Sequence, residues 1–152
     1  GISNKIVISD VKESFTRIQT IAHECLHSIQ DKKIIYFNFI YSNIYIVYFL
    51  VISILAIFKL LPYKMMFLTI LIMGGLIYYF VRSYLENDAM IKARFLAKAY
   101  MEQKKLSTQE EINEMVHGFD NLNDIGIKST NYILLLNLII EIIIFCVICI
   151  IR

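Results

Sequence analysis

From Ile34 to Phe58 the chain runs for 25 residues without a single charge. A bilayer's hydrocarbon core takes roughly 20 helical residues to cross, so this stretch is long enough to span with some tilt. Lys59, Pro62 and Lys64 end it, and a second uncharged stretch follows from Met65 to Val81, stopped by Arg82. A third runs from Tyr132 to Ile151 and is closed by Arg152, its one charged residue being Glu141. Lipid offers no hydrogen bonds, so each backbone amide must be satisfied within its own segment, and all three stretches are predicted to be helices. Composition agrees: 58% of residues are hydrophobic, 18% charged, and the mean hydropathy is +0.62. A soluble domain carries far less apolar sequence. The net charge of +2, from 15 basic and 13 acidic residues, gives no reason to expect nucleic acid as a partner.

Two polar regions remain, residues 1–33 and 82–131, and a hairpin of the first two spans returns the second to the side of the first. That side carries 12 of the 15 basic residues, against Lys59, Lys64 and Arg152 on the other. Positive residues stay cytoplasmic, so both regions are expected to face the cytoplasm, in the cell membrane. Within the first, Lys5-Ile6-Val7-Ile8-Ser9 alternates and is rich in β-branched residues, which predicts a short strand. The fold class expected is therefore an all-α multi-pass membrane protein with three transmembrane helices and a small cytosolic α+β cap. Its parts are 1–33 (strand and first polar helix), 34–58, 65–81, 82–131 (second polar helix and connector) and 132–151. Gly1 is not a Met and no signal-peptide core precedes the first span, which suggests a fragment or processed product. Cys25, Cys146 and Cys149 form no disulfide framework and fit a reducing environment.

From Ser14 to Gln30, Phe15, Ile18, Ile21, Ala22, Cys25, Leu26 and Ile29 recur at helical spacing, leaving Gln19, His23, His27 and Gln30 on the opposite face. His23-Glu24-Cys25-Leu26-His27 is an HExxH sequence. Histidines four apart project from one helical face and can bind one zinc ion, with the intervening Glu placed to act as a general base. Two surface histidines flanking a Glu by chance would look the same, yet two of the chain's three histidines fall here, on a helix, where the chemistry needs them.

Catalytic zinc usually takes three protein ligands and keeps a fourth position open. A third His six residues after the second is ruled out, since position 33 is Lys33. A carboxylate beyond the second span is the alternative, in Ser83-Tyr84-Leu85-Glu86-Asn87-Asp88-Ala89, which opens an amphipathic helix reaching about Lys105. Glu86 is favoured, because Ala89, Ala93 and Ala97 follow it on one face and let the His-bearing helix approach. Asp88 sits about 200° further round and reads equally as a helix N-terminal charge. Asp88 and His117 stay open as alternatives.

The run Ile21-Ala22-His23-Glu24-Cys25-Leu26-His27-Ser28-Ile29-Gln30, followed across a hydrophobic hairpin by Glu86-Asn87-Asp88-Ala89, resembles the bacterial membrane-bound neutral zinc metallopeptidases. Those proteins pair an AHExxHxIQ helix with an ExDA segment. The resemblance covers most of the chain and implies a zincin-like (gluzincin-like) cap, a Zn2+ cofactor held by His23, His27 and Glu86, and Glu24 as catalytic base. Family members commonly have Gly where this chain has Leu26, a Phe-like residue at Asn87, and more sequence upstream.

The function expected is a zinc-dependent metalloendopeptidase in the membrane, hydrolysing peptides or membrane-proximal protein segments. The competing expectation is a catalytically inactive, metal-binding membrane interaction or scaffold protein. Other residues carry weaker expectations. Gln30 either orients a ligand or caps polar surface. Asn137 and Glu141 lie four apart in the third span, where an ionisable group costs on the order of 3 kcal/mol, so a helix–helix hydrogen bond is expected to satisfy them. Cys146 and Cys149 read as packing residues. Ser107 and Glu110 suggest a capping box opening a short helix that Gly118 stops.

Overall fold

The computed structural model describes residues 14–151. Four helices account for nearly all of them: α1 (Ser14–Ile29), α2 (Lys32–Ile57), α3 (Lys64–Lys104) and α4 (Gln109–Ile151). Among the described residues there is no strand. The α+β cap is thus corrected to an all-helical one; the strand expected over Lys5–Ser9 lies outside the described residues. The physical reason is continuity. α3 runs 41 residues and α4 43, so the helices that begin or end as apolar spans carry on through the polar regions without a breaker. Gly118 does not stop α4, and no helix begins at Ser83.

Helix ends follow local chemistry. α2 and α3 both end in a Schellman motif: Leu60 N donates to Leu55 O and Lys59 N to Ala56 O, then Leu106 N to Met101 O and Lys105 N to Glu102 O. The left-handed residue in each is a lysine, Lys59 at φ 58° and Lys105 at φ 51°, where glycine is usual. α4 opens with a reciprocal capping box one residue later than expected. Glu111 N donates to Thr108 Oγ1 at 3.3 Å, and Thr108 N donates to Glu111 Oε2 at 3.0 Å.

The chain divides into two compact units. One comprises Lys32–Tyr84 and 130–151 and holds the three stretches long and apolar enough to cross a membrane. Only 22%, 11% and 11% of their most apolar windows are buried within the chain, so most of that apolar surface must meet an equally apolar surrounding. The protein is a multi-pass membrane protein. Tyr45, Ile52, Ala56, Leu61, Leu71, Leu138 and Phe145 form the core of this unit. Several polar groups inside it find partners: Tyr45 Oη donates to Glu141 Oε2 at 2.7 Å, Tyr41 Oη to Gly74 O at 3.0 Å, and Lys64 Nζ to Cys149 O at 2.9 Å. Glu141 is thus satisfied between helices. Asn137 is exposed, and Cys146 and Cys149 are free thiols, half-buried on α4.

The other unit, 14–31 with Leu85–Ser129, is built from α1 and parts of α3 and α4. Ala89, Ala93 and Ala97 are fully buried against Ala22 and Leu26, with Ile18 alongside. Alanines at this spacing give α3 a flat face with no side chain beyond Cβ, which lets α1 pack close. Ile18 also packs, with Met115, Val116 and Phe119, against the pair Met101 and Ile112, tying α1 to α3 and α4. Arg94 Nη1 donates to Asp120 Oδ1 at 2.7 Å across the latter pair.

Candidate metal centre

The close α1–α3 packing determines what the polar face of α1 meets. Ala22 and Leu26 rest on the alanine stripe; His23 and His27, one position on from each, project beside that contact. Glu86 lies one turn before Ala89 on the same α3 face. The result is a cluster of three donor atoms. His27 Nε2 lies 3.1 Å from His23 Nε2, and Glu86 Oε2 lies 3.5 Å from His23 Nε2 and 3.6 Å from His27 Nε2. The imidazole centroids are 4.6 Å apart with the rings nearly perpendicular at 84°.

These separations fit a tetrahedral ion. Zinc with bonds of about 2.0–2.1 Å sets its ligand atoms about 3.3 Å apart. The circle through the three observed atoms has a radius of about 2.0 Å, so an ion slightly out of their plane meets all three at zinc bond lengths. The donor set, two imidazoles and one carboxylate, suits zinc, and no fourth donor joins it among the described residues. The three side chains are 21%, 26% and 13% exposed, which leaves the site reachable from one side.

Electrostatics favour a cation here. The Glu86 carboxylate, 3.6 Å from the ring nitrogen, raises the pKa of His27 above 6.5; burial opposes this, while Gln30 and the charges of Glu86 and Glu24 reinforce it. Glu24 follows His23 on α1, half-exposed.

Gln30 reaches furthest. Just past the end of α1, its N–H bonds back to Leu26 O at 3.0 Å. Its side-chain Nε2 donates to Leu85 O at 2.7 Å and to Asp88 Oδ2 at 3.3 Å, and its Oε1 lies 2.9 Å from His27 Nδ1. Lys92 Nζ donates to Asp88 Oδ1 at 2.6 Å. Asp88 is therefore no helix N-terminal charge, since α3 is continuous there, and it does not join the donor cluster. His117 lies on α4 beside Asn113 and Glu114, outside the cluster. The parts played by Leu85 O and Lys92 had no signal in the sequence, because they depend on side-chain reach between helices.

Comparison with protein-family models, curated proteins and solved structures finds no match. Fold and site together define a multi-pass membrane protein carrying a candidate metal centre of two histidines and one glutamate.

Proposed function

We propose that this protein is a membrane zinc metalloendopeptidase acting on peptides or membrane-proximal protein segments. The observation that carries the reading is the triangle of His23 Nε2, His27 Nε2 and Glu86 Oε2, whose sides of 3.1, 3.5 and 3.6 Å match one ion's coordination sphere. Those three residues would hold the zinc. When bound, zinc lowers the pKa of water toward about 7 and polarises a peptide carbonyl. Glu24 takes the proton from the attacking water and returns it to the leaving amine nitrogen. Glu86 and Glu24 thus divide two carboxylate tasks, one holding the cation and one moving protons. The excess of basic residues in the polar regions supports a site facing the cytoplasm from the cell membrane.

Elemental analysis of the detergent-purified protein tests the site, and peptide cleavage tests the activity. The expected result is about one zinc per chain, lost in His23→Ala and in Glu86→Ala, with Glu24→Gln keeping zinc and losing cleavage. A wild-type protein that takes up no zinc on titration refutes the metal site. Zinc uptake with Glu24→Gln biologically active, and His23→Ala inactive, assigns the metal to an interaction protein that hydrolyses nothing.

A further inference from the structure

We propose that Gln30 is a positioning residue for the metal centre, fixing the orientation and tautomer of His27 and held in that task by Leu85 O and Asp88; the inference rests on the metal-site reading above. The argument is one of donor and acceptor identity. A backbone carbonyl accepts only, and an ionised carboxylate accepts only. Leu85 O at 2.7 Å and Asp88 Oδ2 at 3.3 Å therefore both require the NH2 end of the Gln30 amide. That leaves Oε1, which can only accept, facing His27 Nδ1 at 2.9 Å. The hydrogen of the neutral ring must then sit on Nδ1. Nε2 is left with its lone pair, and Nε2 is the atom turned toward His23 and Glu86.

Each partner is fixed in turn. Asp88 is aimed by Lys92 Nζ at 2.6 Å on its other oxygen, and Leu85 O belongs to the continuous backbone of α3. Gln30 is fastened to α1 by its own N–H. The amide thus bridges from the helix that carries two metal donors to the helix that carries the third, within two residues of Glu86. A metal-binding imidazole needs its non-ligating N–H engaged by an acceptor that fixes the ring, and losing such a partner typically weakens metal binding about 10- to 100-fold.

The test is Co2+ affinity of the full chain in detergent, by competition with a chromophoric chelator, alongside 15N spectra of His-labelled protein. Gln30→Leu removes both ends of the amide and is expected to weaken Co2+ binding about 10- to 100-fold, with loss of the His27 Nδ1–H signal. Gln30→Glu keeps an acceptor for His27 but sets it against Asp88 and Leu85 O, and is expected to weaken binding. Adding Asp88→Asn to Gln30→Glu supplies a donor in place of the Asp88 clash and is expected to recover part of the lost affinity, the clash with Leu85 O remaining. This pair decides the matter even if Gln30→Leu does not fold. Wild type that binds one equivalent of Co2+ while Gln30→Leu binds equally well, or effects of Gln30→Glu and Asp88→Asn that simply add, overturns the positioning role alone. Wild type that binds no Co2+ overturns the metal centre itself, and the positioning role with it.

Discussion

Replacing Ala93 by Leu tests whether the alanine stripe of α3 sets the metal geometry. Ala93 is 0% exposed and packs with Ala22 and Leu26 of α1. An isobutyl group there has no void to enter, so α1 must move away from α3 or the helices must strain, at a cost of about 1–3 kcal/mol. The geometric consequence follows from the donor triangle. Two imidazole nitrogens 3.1 Å apart place an ion held at about 2.05 Å from each some 1.3 Å beyond their midpoint. With Glu86 Oε2 at 3.5 and 3.6 Å, the ion reaches the carboxylate at a normal bond length. Moving α1 outward by about 1 Å leaves the nearest approach near about 2.9 Å, beyond a zinc–oxygen bond. Zinc affinity is therefore expected to fall at least about tenfold, or about 1.4 kcal/mol, although no donor has been altered. Chelator competition on detergent-purified protein measures it, with circular dichroism to confirm helicity. Leu26→Ala added to Ala93→Leu should recover part of the loss by making room. A folded Ala93→Leu protein with wild-type zinc affinity would show that this packing does not control the site, and the account of how α1 meets Glu86 would be wrong.

Further outcomes are expected at the glycines, at Lys105 and at His27. A Cβ on Gly75 would collide with Leu138 Cδ1 and lie 2.7 Å from Tyr45 Oη, the hydroxyl that serves Glu141, so Gly75→Ala should cost about 1–3 kcal/mol. A Cβ on Gly118 meets nothing, and Gly118→Ala should stabilise by about 0.5–1 kcal/mol; thermal melts that rank the two alike would contradict the packing described. Lys105→Gly should raise the melting temperature by relieving a left-handed lysine worth about 1 kcal/mol, and a lower value would show that its side chain makes good the strain. Because His27 has its pKa raised above 6.5 mainly by Glu86, its proton stabilises the metal-free fold fully below pH 6.5, and that contribution is lost as pH rises through the raised value. Zinc needs the neutral ring, so its apparent affinity should weaken as pH falls through that raised value. Stability of metal-free Glu86→Gln should lose this pH dependence, and an unchanged profile would remove Glu86 as its cause.

The three spans could be read from sequence because apolar length is a local property, decided by the bilayer's thickness and not by what packs nearby. The polar regions were harder. Alternation at Lys5–Ser9 suggested a strand and hence an α+β cap, yet the described part of this unit is helical, since nothing interrupts α3 after Arg82 or α4 before Tyr132. Punctuation misled in both directions. Gly118 looks like a stop and lies within α4, whereas the ends of α2 and α3 turn on Lys59 and Lys105, which in a sequence look like ordinary surface lysines. A Gly at a helix end advertises a left-handed residue; a Lys there shows itself only in the backbone.

The same division runs through the candidate site. His23 and His27 are four apart, so the helix alone brings their imidazoles together, and that part is legible from spacing. Glu86 is separated from them by both of the first two spans and was traceable because the alanines after it mark a face built for close approach and because the Glu86–Ala89 segment carries a family resemblance. Gln30 and Asp88 mark where sequence reasoning ran out. A glutamine one turn past a histidine serves equally well as surface or as support, and Asp88 lies off the Glu86 direction, which counted against it as a donor but said nothing of what it holds. What settles their place is that Leu85 O and Asp88 can only accept, which forces the amide, and through it the imidazole, into one arrangement. The direction of that constraint matters: it starts on α3 and ends on a ring of α1. A substitution at Asp88, which touches no donor atom of the cluster, should therefore alter metal binding only through Gln30, and in a background lacking the Gln30 amide it should alter it little.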